Sequence, residues 1–161
     1  MPIRAWLFAL AIAPIDRDYQ QIAAHFPPPV FAFAGLTCRL DLVGHDVARR
    51  ATIIEITAEP GAGAPAHISR GEDKYFRVLR GRFLFHVDGV SRLLTAGAVV
   101  SVARGSVHAF ANVDSGPSAL LLVSTPAGQD RFFEQLAALA EPQTLEGVLD
   151  VCARNGQELV F

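Results

Sequence analysis

Two stretches of the sequence decide its fold: residues 61–81 read GAGAPAHISRGEDKYFRVLRG, and residues 97–112 read GAVVSVARGSVHAFAN. Each consists of short runs rich in β-branched and aromatic residues that are separated by turns containing glycine. Their spacing predicts strands over residues 74–79, 82–87, 98–102 and 107–112. Asp88-Gly89 is a strong signal for a hairpin turn. Many short strands at this interval predict an all-β protein, either a small antiparallel barrel or a jelly roll.

The sequence on either side of these stretches extends the pattern. Further strands are predicted over 51–58 and 119–124, a loop over 60–65, and helices over 15–25, 129–140 and 144–154. We expect one domain in three parts. These are an N-terminal arm with a helical or irregular segment packed on the barrel over 1–50, the barrel core over 51–125, and C-terminal helices over 126–161.

The composition is that of a compact domain. The 161 residues are 51% hydrophobic and 19% charged, and the net charge of -2 comes with no basic stripe that would attract nucleic acid. Two cysteines, Cys38 and Cys152, are too few for a disulfide framework. We therefore expect a cytoplasmic protein with free thiols whose partner is a small molecule, with no nucleic-acid partner.

The first thirteen residues (MPIRAWLFALAIA) resemble a short signal peptide. They are too few to span a bilayer, which takes about 20 apolar residues, and Pro14 would be a poor residue after a cleavage site. We interpret them as an apolar arm packed on the barrel or on a neighbouring subunit. The interpretation predicts a homodimer and no membrane partner.

The two quoted stretches resemble the paired motifs of the cupin superfamily. The first family motif is G, five residues, H-x-H, three or four residues, E, six residues, G. The second is G, five residues, P-x-G, two residues, H, three residues, N. This sequence matches the second motif at Gly97, Gly105, His108 and Asn112 and has Ala103 in place of the proline; of the first motif it keeps the glycines and His67. The flanking segments are similar to bacterial cupins of the quercetin-dioxygenase-like type. The resemblance implies a double-stranded β-helix, or jelly-roll barrel, with two C-terminal helices.

In the family, three histidines and one glutamate of these motifs hold a metal ion, a donor set that suits Fe, Mn, Ni, Co, Cu or Zn. Here Ser69 stands at the second histidine, and Lys74 falls on the glutamate position when counted back from Gly81. An ammonium group repels a dication, because two unit charges about 4 Å apart interact by roughly 4 kcal/mol at an effective dielectric constant of 20. We therefore expect no metal cofactor. The alternative is that His67 and His108 recruit Asp73, or a nitrogen of His86, and still bind Fe, Ni, Mn or Zn.

Four residues are candidates for catalysis: His67, Ser69, Lys74 and His108. The histidines are expected to face each other inside the barrel, either as inert relics or as a general acid/base pair. Lys74 is the only lysine in the sequence. If it is buried, it should bind an anionic group of the substrate or pair with an acid such as Glu55, and otherwise it turns outward; a Schiff-base role ranks lower. Ser69 is expected to donate a hydrogen bond, since no acidic partner completes a triad.

Three function hypotheses follow. The preferred one is a metal-independent cupin that binds a small anionic, aromatic or polyketide-like molecule and catalyses proton transfer of the isomerase, cyclase or lyase type. Phe76, Phe85 and Phe110 are its candidate substrate-binding residues. The alternatives are a metal-dependent quercetinase-like dioxygenase and a non-catalytic ligand-binding or structural dimer.

Overall fold

A computed structural model describes residues 28–42 and 50–161 of the chain. The predicted helix over 15–25, the apolar arm over 1–13, and the histidines at positions 25 and 45 lie outside the described residues. Within the described part, no helix is long and apolar enough to cross a membrane.

Two antiparallel sheets lie face to face and form a jelly roll, which confirms the predicted all-β fold class. The strands are β1 (Val30–Phe33), β2 (Leu36–Leu42), β3 (Thr52–Ala58), β4 (Gly63–Ser69), β5 (Asp73–Arg80), β6 (Arg82–Val87), β7 (Val90–Thr95), β8 (Val99–Val102), β9 (Val107–Asn112), β10 (Ser118–Thr125) and β11 (Gln157–Leu159). The helices are α1 (Gln129–Ala137) and α2 (Leu145–Arg154). The six-stranded sheet has the order β1-β2-β3-β10-β5-β8, and the five-stranded sheet has the order β11-β4-β9-β6-β7.

Strand alternation determines which side chains enter the core. Along β5 the side chains of Lys74, Phe76 and Val78 are buried between the sheets, whereas Tyr75 and Arg77 face outward. Lys74 therefore lies on the inward face of β5, whose other buried side chains are apolar. Its position on the strand, rather than its chemistry, places the ammonium group inside the barrel.

The described part of the N-terminal segment corrects our expectation for residues 1–50. Residues 30–42 form the hairpin β1–β2 and extend the sheet by pairing with β3, instead of forming a helical or irregular cover. Leu36, Cys38 and Leu40 alternate inward along β2, which is the period-two pattern of a half-buried strand. Within the described residues, strands of this sheet are therefore present from residue 30 onward, before position 51.

The loop predicted over 60–65 is also corrected, because β4 already begins at Gly63. Gly63 pairs with Ala111 of β9, and an added Cβ would collide with the Phe110 carbonyl. The register shifts between Ala64 and His67, at the point where Pro65 has no N–H to donate. Glycine and proline thus mark a close backbone approach and a bulge within a strand.

Three motif residues that do not belong to the metal position, Gly97, Gly105 and Asn112, have structural roles. Asn112 donates through Nδ2 to the carbonyls of Ala58 and Gly116, and its Oδ1 accepts hydrogen bonds from Asp114 N–H and the Ser118 hydroxyl. Gly97 and Gly105 have φ angles of 89° and 86°, which only glycine adopts readily.

Candidate active site

A cavity of about 230 Å³ lies within the barrel and is closed on one side by α1, α2 and the turn between β1 and β2. Most of its wall is carbon, contributed by five phenylalanines, Phe33, Phe76, Phe110, Phe132 and Phe133, together with aliphatic side chains. Its charged or titratable groups are His67, Lys74 and Cys152, joined by Gln129, Gln143 and Gln157. Such an apolar pocket with a few convergent polar groups is the usual form of a small-molecule site.

His67 and His108 meet as predicted. They are directly paired across β4 and β9, with ring centroids 4.0 Å apart and an interplanar angle of 48°. His67 lines the cavity, whereas His108 is buried behind it. Burial, and after it the positive charge of Lys74, lowers the pKa of His67 to about 3 and that of His108 to about 4. Both rings are therefore neutral at pH 7.

The tautomer of each imidazole follows from its backbone partner. His67 Nδ1 lies 2.8 Å from the Pro65 carbonyl oxygen, and His108 Nδ1 lies 3.1 Å from that of Ser106. Because a carbonyl only accepts, each Nδ1 carries the proton and each Nε2 keeps its lone pair. Nε2 of His108 is buried and has no hydrogen-bond partner among the residues that the structure describes. Nε2 is thus the basic nitrogen of each ring. The His67 side chain lines the cavity, whereas the His108 side chain does not.

Lys74 is 2% exposed and lines the same cavity. Its only hydrogen bond among the described residues is a long one, from Nζ to Gln157 Oε1 at 3.5 Å, and no described carboxylate forms an ion pair with it. Burial lowers its pKa to about 8, against the opposing influence of Glu72. An amine with so few partners is available to a molecule in the cavity.

The surroundings of Lys74 contain three residues that the sequence analysis missed: Glu72, Gln157 and Cys152. Gln157 lies on β11 opposite Ser69, and its Oε1 accepts from the Ser69 hydroxyl at 2.6 Å. Ser69 is therefore a hydrogen-bond donor, as expected. Glu72 is buried against Gly128 at the start of α1, and burial raises its pKa. Only pairing between β4 and β11 brings Gln157 here from 83 positions away, so no local signal could have revealed it.

Of the three predicted substrate-binding aromatics, the structure places Phe76 and Phe110 on the cavity wall. Phe85 lies behind them in the core, where its ring stacks on Phe110 with centroids 5.4 Å apart. Inward direction alone does not distinguish a ring that lines a cavity from one that supports it. Phe85 is placed to support the wall rather than to contact a ligand.

Other candidate side chains face away from Lys74 and the histidine pair. Both carboxylate oxygens of Asp73 are held by Arg104, with Oδ2 2.7 Å from Nη2. His86 Nδ1 lies 3.0 Å from the Ser91 hydroxyl. Glu55 forms an ion pair with Arg39 at 2.8 Å on the outer side of β3. The acid whose charge raises the pKa of Lys74 is therefore Glu72 and not Glu55.

These placements bear on the metal that cupin motifs imply. Ser69 donates its proton to an amide, and Lys74 brings an ammonium group to the glutamate position. Among residues 28–42 and 50–161, no group of three or more histidine, cysteine, aspartate or glutamate side chains is arranged to hold a metal ion. The donor set at this position does not fit a transition-metal ion.

Comparison with known proteins supports the fold. Residues 54–124 match the family model described as Cupin domain. No curated protein matches the chain in sequence. Among solved structures, an RmlC-like cupin from Shewanella frigidimarina is 22% identical with a TM-score of 0.55, covering 65% of this chain and 88% of that one. KdgF from Halomonas sp. is 16% identical with a TM-score of 0.56, covering 62% and 86%.

A sugar phosphate isomerase of the cupin superfamily from Silicibacter pomeroyi is 19% identical with a TM-score of 0.52, covering 63% of this chain and 70% of that one. Likenesses at these identities establish the shared fold, and a fold of this kind hosts many activities. Residues 54–124 are thus the part of the chain that matches the cupin domain model, and the two-sheet architecture of the described residues is the fold shared with these solved structures.

Proposed function

We propose that the protein is a metal-independent cupin that binds a small anionic molecule with an apolar body in the barrel. In this proposal it catalyses proton transfer of the isomerase, cyclase or lyase type. The observation that carries the proposal is the position of Lys74, a buried cation on the wall of an otherwise apolar cavity that it shares with His67.

Lys74 supplies the positive charge that a metal ion would supply in other cupins. Inside a water-poor cavity, a fixed cation stabilises a carboxylate or enolate more strongly than it would in water. Since Lys74 makes a single, long hydrogen bond to the part of the chain that the structure describes, an anionic ligand would meet an amine with N–H groups to donate. The Phe76 and Phe110 rings would hold the apolar body of the ligand.

His67 is the group placed to move the proton. Its Nε2 has a lone pair, because Nδ1 is committed to the Pro65 carbonyl. The charge of Lys74 is one cause of the low pKa of His67, and a bound anion would offset that charge. His67 is therefore a stronger base in the complex than in the free protein. His108 does not line the cavity, and in this proposal it packs against His67 with the two rings tilted and exchanges protons with it.

The proposal is tested first by binding. Isothermal titration should show that phenylacetate binds at least about tenfold more tightly than 2-phenylethanol, a preference that follows from a charge-assisted hydrogen bond. The preference should disappear in Lys74→Met and persist in part in Lys74→Arg. Equal affinity for the acid and the alcohol would contradict the anionic ligand class.

Catalysis is tested with phenylpyruvate, which combines a carboxylate, an apolar ring and an acidic C–H. Nuclear magnetic resonance in D₂O should show that solvent deuterium replaces the acidic C–H protons of phenylpyruvate faster when the protein is present than in buffer alone. The substitution His67→Gln should abolish this difference in rate. Binding without exchange would support a non-catalytic binding protein instead. Stoichiometric Fe, Ni, Mn or Zn in the purified protein would overturn metal independence in favour of the dioxygenase. The homodimer and the cytoplasmic location stay predictions.

A further inference from the structure

We propose that Lys74 is a nucleophile that forms an imine with the carbonyl group of an aldehyde or ketone bound in the barrel cavity. This inference rests on the proposed function in that the ligand must occupy the same cavity. It deepens that function by naming the substrate class as carbonyl compounds with an apolar body.

The residue type at position 74 is the first argument. The sequence has 14 basic residues, and all except Lys74 are arginines. A site built only to hold a carboxylate is served better by arginine, whose planar fork makes two parallel hydrogen bonds. A guanidinium group cannot lose its proton at any ordinary pH, whereas an amine can, and a neutral amine attacks carbonyl carbon.

The surroundings of Lys74 are the second argument. Buried structural lysines are paired with carboxylates, but Lys74 is 2% exposed and forms no ion pair with any described residue. Burial lowers its pKa to about 8, so about a tenth of the amine is neutral at pH 7, far more than for a lysine in water. The apolar wall favours the neutral, nucleophilic form of the amine, and the charge of Glu72 opposes it.

The step balances without an oxidant or a reductant. The Nζ lone pair attacks the carbonyl carbon, a C–N bond forms, and the π pair of the carbonyl moves to its oxygen. Transfer of one proton from nitrogen to that oxygen gives the carbinolamine. A second proton reaches the oxygen, which leaves as water while the nitrogen lone pair forms the C=N bond. His67 lines the cavity, and its Nε2 can carry these protons.

An iminium at Lys74 would perform the task given to the ammonium group in the proposed function. It draws electrons from the adjacent carbon and makes the C–H bonds there more acidic. His67 would then remove that proton. The product is an enamine, and its reprotonation at a different carbon gives an isomer.

The test is reductive trapping of the full chain with phenylacetaldehyde and sodium cyanoborohydride at pH 7, read by peptide mass spectrometry. Because Lys74 is the only lysine in the sequence, the chain offers a single ε-amine, and the competing primary amine is its amino terminus. We expect one phenylethyl group on Lys74, added at least about tenfold faster than on the amino terminus because the cavity holds the aldehyde beside the amine. Phenylacetate should slow the labelling by occupying the cavity.

The control is Lys74→Arg, which keeps the charge and should show no internal adduct. Labelling confined to the amino terminus would overturn the imine proposal. So would labelling of Lys74 no faster than in the urea-unfolded chain. If the adduct is absent while phenylacetate still binds through Lys74, the imine is wrong and the anionic-ligand function stands. If phenylacetate binding is also absent, both proposals fail.

Discussion

His67 and His108 are related by strand pairing: they lie opposite each other on β4 and β9 with ring centroids 4.0 Å apart. Each donates Nδ1–H to the carbonyl of the residue two positions earlier in the chain, Pro65 for His67 and Ser106 for His108. A proton on His108 would repel one on His67, and this contributes to the low pKa of His67. The two rings are therefore stable together only while both are neutral.

The neutral pair predicts sensitivity to mild acid. The folded-state pKa values of about 3 and about 4 lie below the unfolded value near 6.5, so the unfolded chain takes up protons first as pH falls. The free energy of unfolding should be constant from pH 8 to about 7 with respect to these groups. It should then decrease below about 6.5, by up to roughly 1.4 kcal/mol per pH unit for each histidine. Urea unfolding between pH 7 and 4.5 measures this slope.

His67→Gln provides the control for the acid prediction, since it removes one of the two titrating rings. The slope between pH 6 and 4.5 should be smaller in this variant than in the natural sequence. An unchanged slope would mean that the histidine pair does not cause the acid sensitivity.

Lys74→Met should stabilise the protein at pH 7, by about 1–3 kcal/mol, because it removes a buried cation that forms no ion pair with any carboxylate in residues 28–42 and 50–161. The folded pKa of Lys74, about 8, lies below the unfolded value near 10.4. Lys74 therefore destabilises the fold fully below pH 8, and the gain from methionine should shrink as pH rises toward 10. Arg77→Met, on the exposed face of the same strand, should change stability by less than about 0.5 kcal/mol. Destabilisation by Lys74→Met would show that its charge is satisfied in the fold.

Gln157→Leu should destabilise the protein by about 1–3 kcal/mol, because the buried Ser69 hydroxyl loses its acceptor. Ser69→Ala in the Gln157→Leu background should recover part of the loss. A double-mutant cycle from chemical unfolding measures the coupling. Strict additivity of the two substitutions would contradict a direct hydrogen bond between the side chains.

Gly128→Ala tests whether the Glu72 side chain packs against the start of α1. Gly128 has an extended φ of 174°, so alanine is not strained there, but its Cβ would collide with Glu72 Oε1. We expect a loss of about 1–3 kcal/mol from overpacking, measured by thermal or urea unfolding, and a much smaller loss in the Glu72→Ala background. Gly116→Ala is the matched control, since its added Cβ would meet nothing within 4 Å. Equal losses at the two glycines would show that Glu72 is not packed against the start of α1.

The sequence by itself determined the repeating strands and turns of residues 74–124, since period-two alternation and turn glycines act within a few residues of each other. It also predicted the contact of His67 with His108 through the motif resemblance, and the inward phase of Lys74 depends only on its place in β5. The predicted loop over 60–65 was wrong because it rested on the glycine and proline content, which carries no information about the pairing of β4 with β9.

Only the tertiary structure decided what surrounds Lys74. Gln157 arrives through the pairing of β11 with β4, Glu72 is fixed against the start of α1, and Phe85 is separated from the cavity by Phe110. These relations join residues distant in sequence, and long-range packing rather than local propensity sets them. The inward position of the Lys74 amine therefore follows from local sequence, whereas the absence of an ion pair between it and any described carboxylate is a property of the assembled barrel.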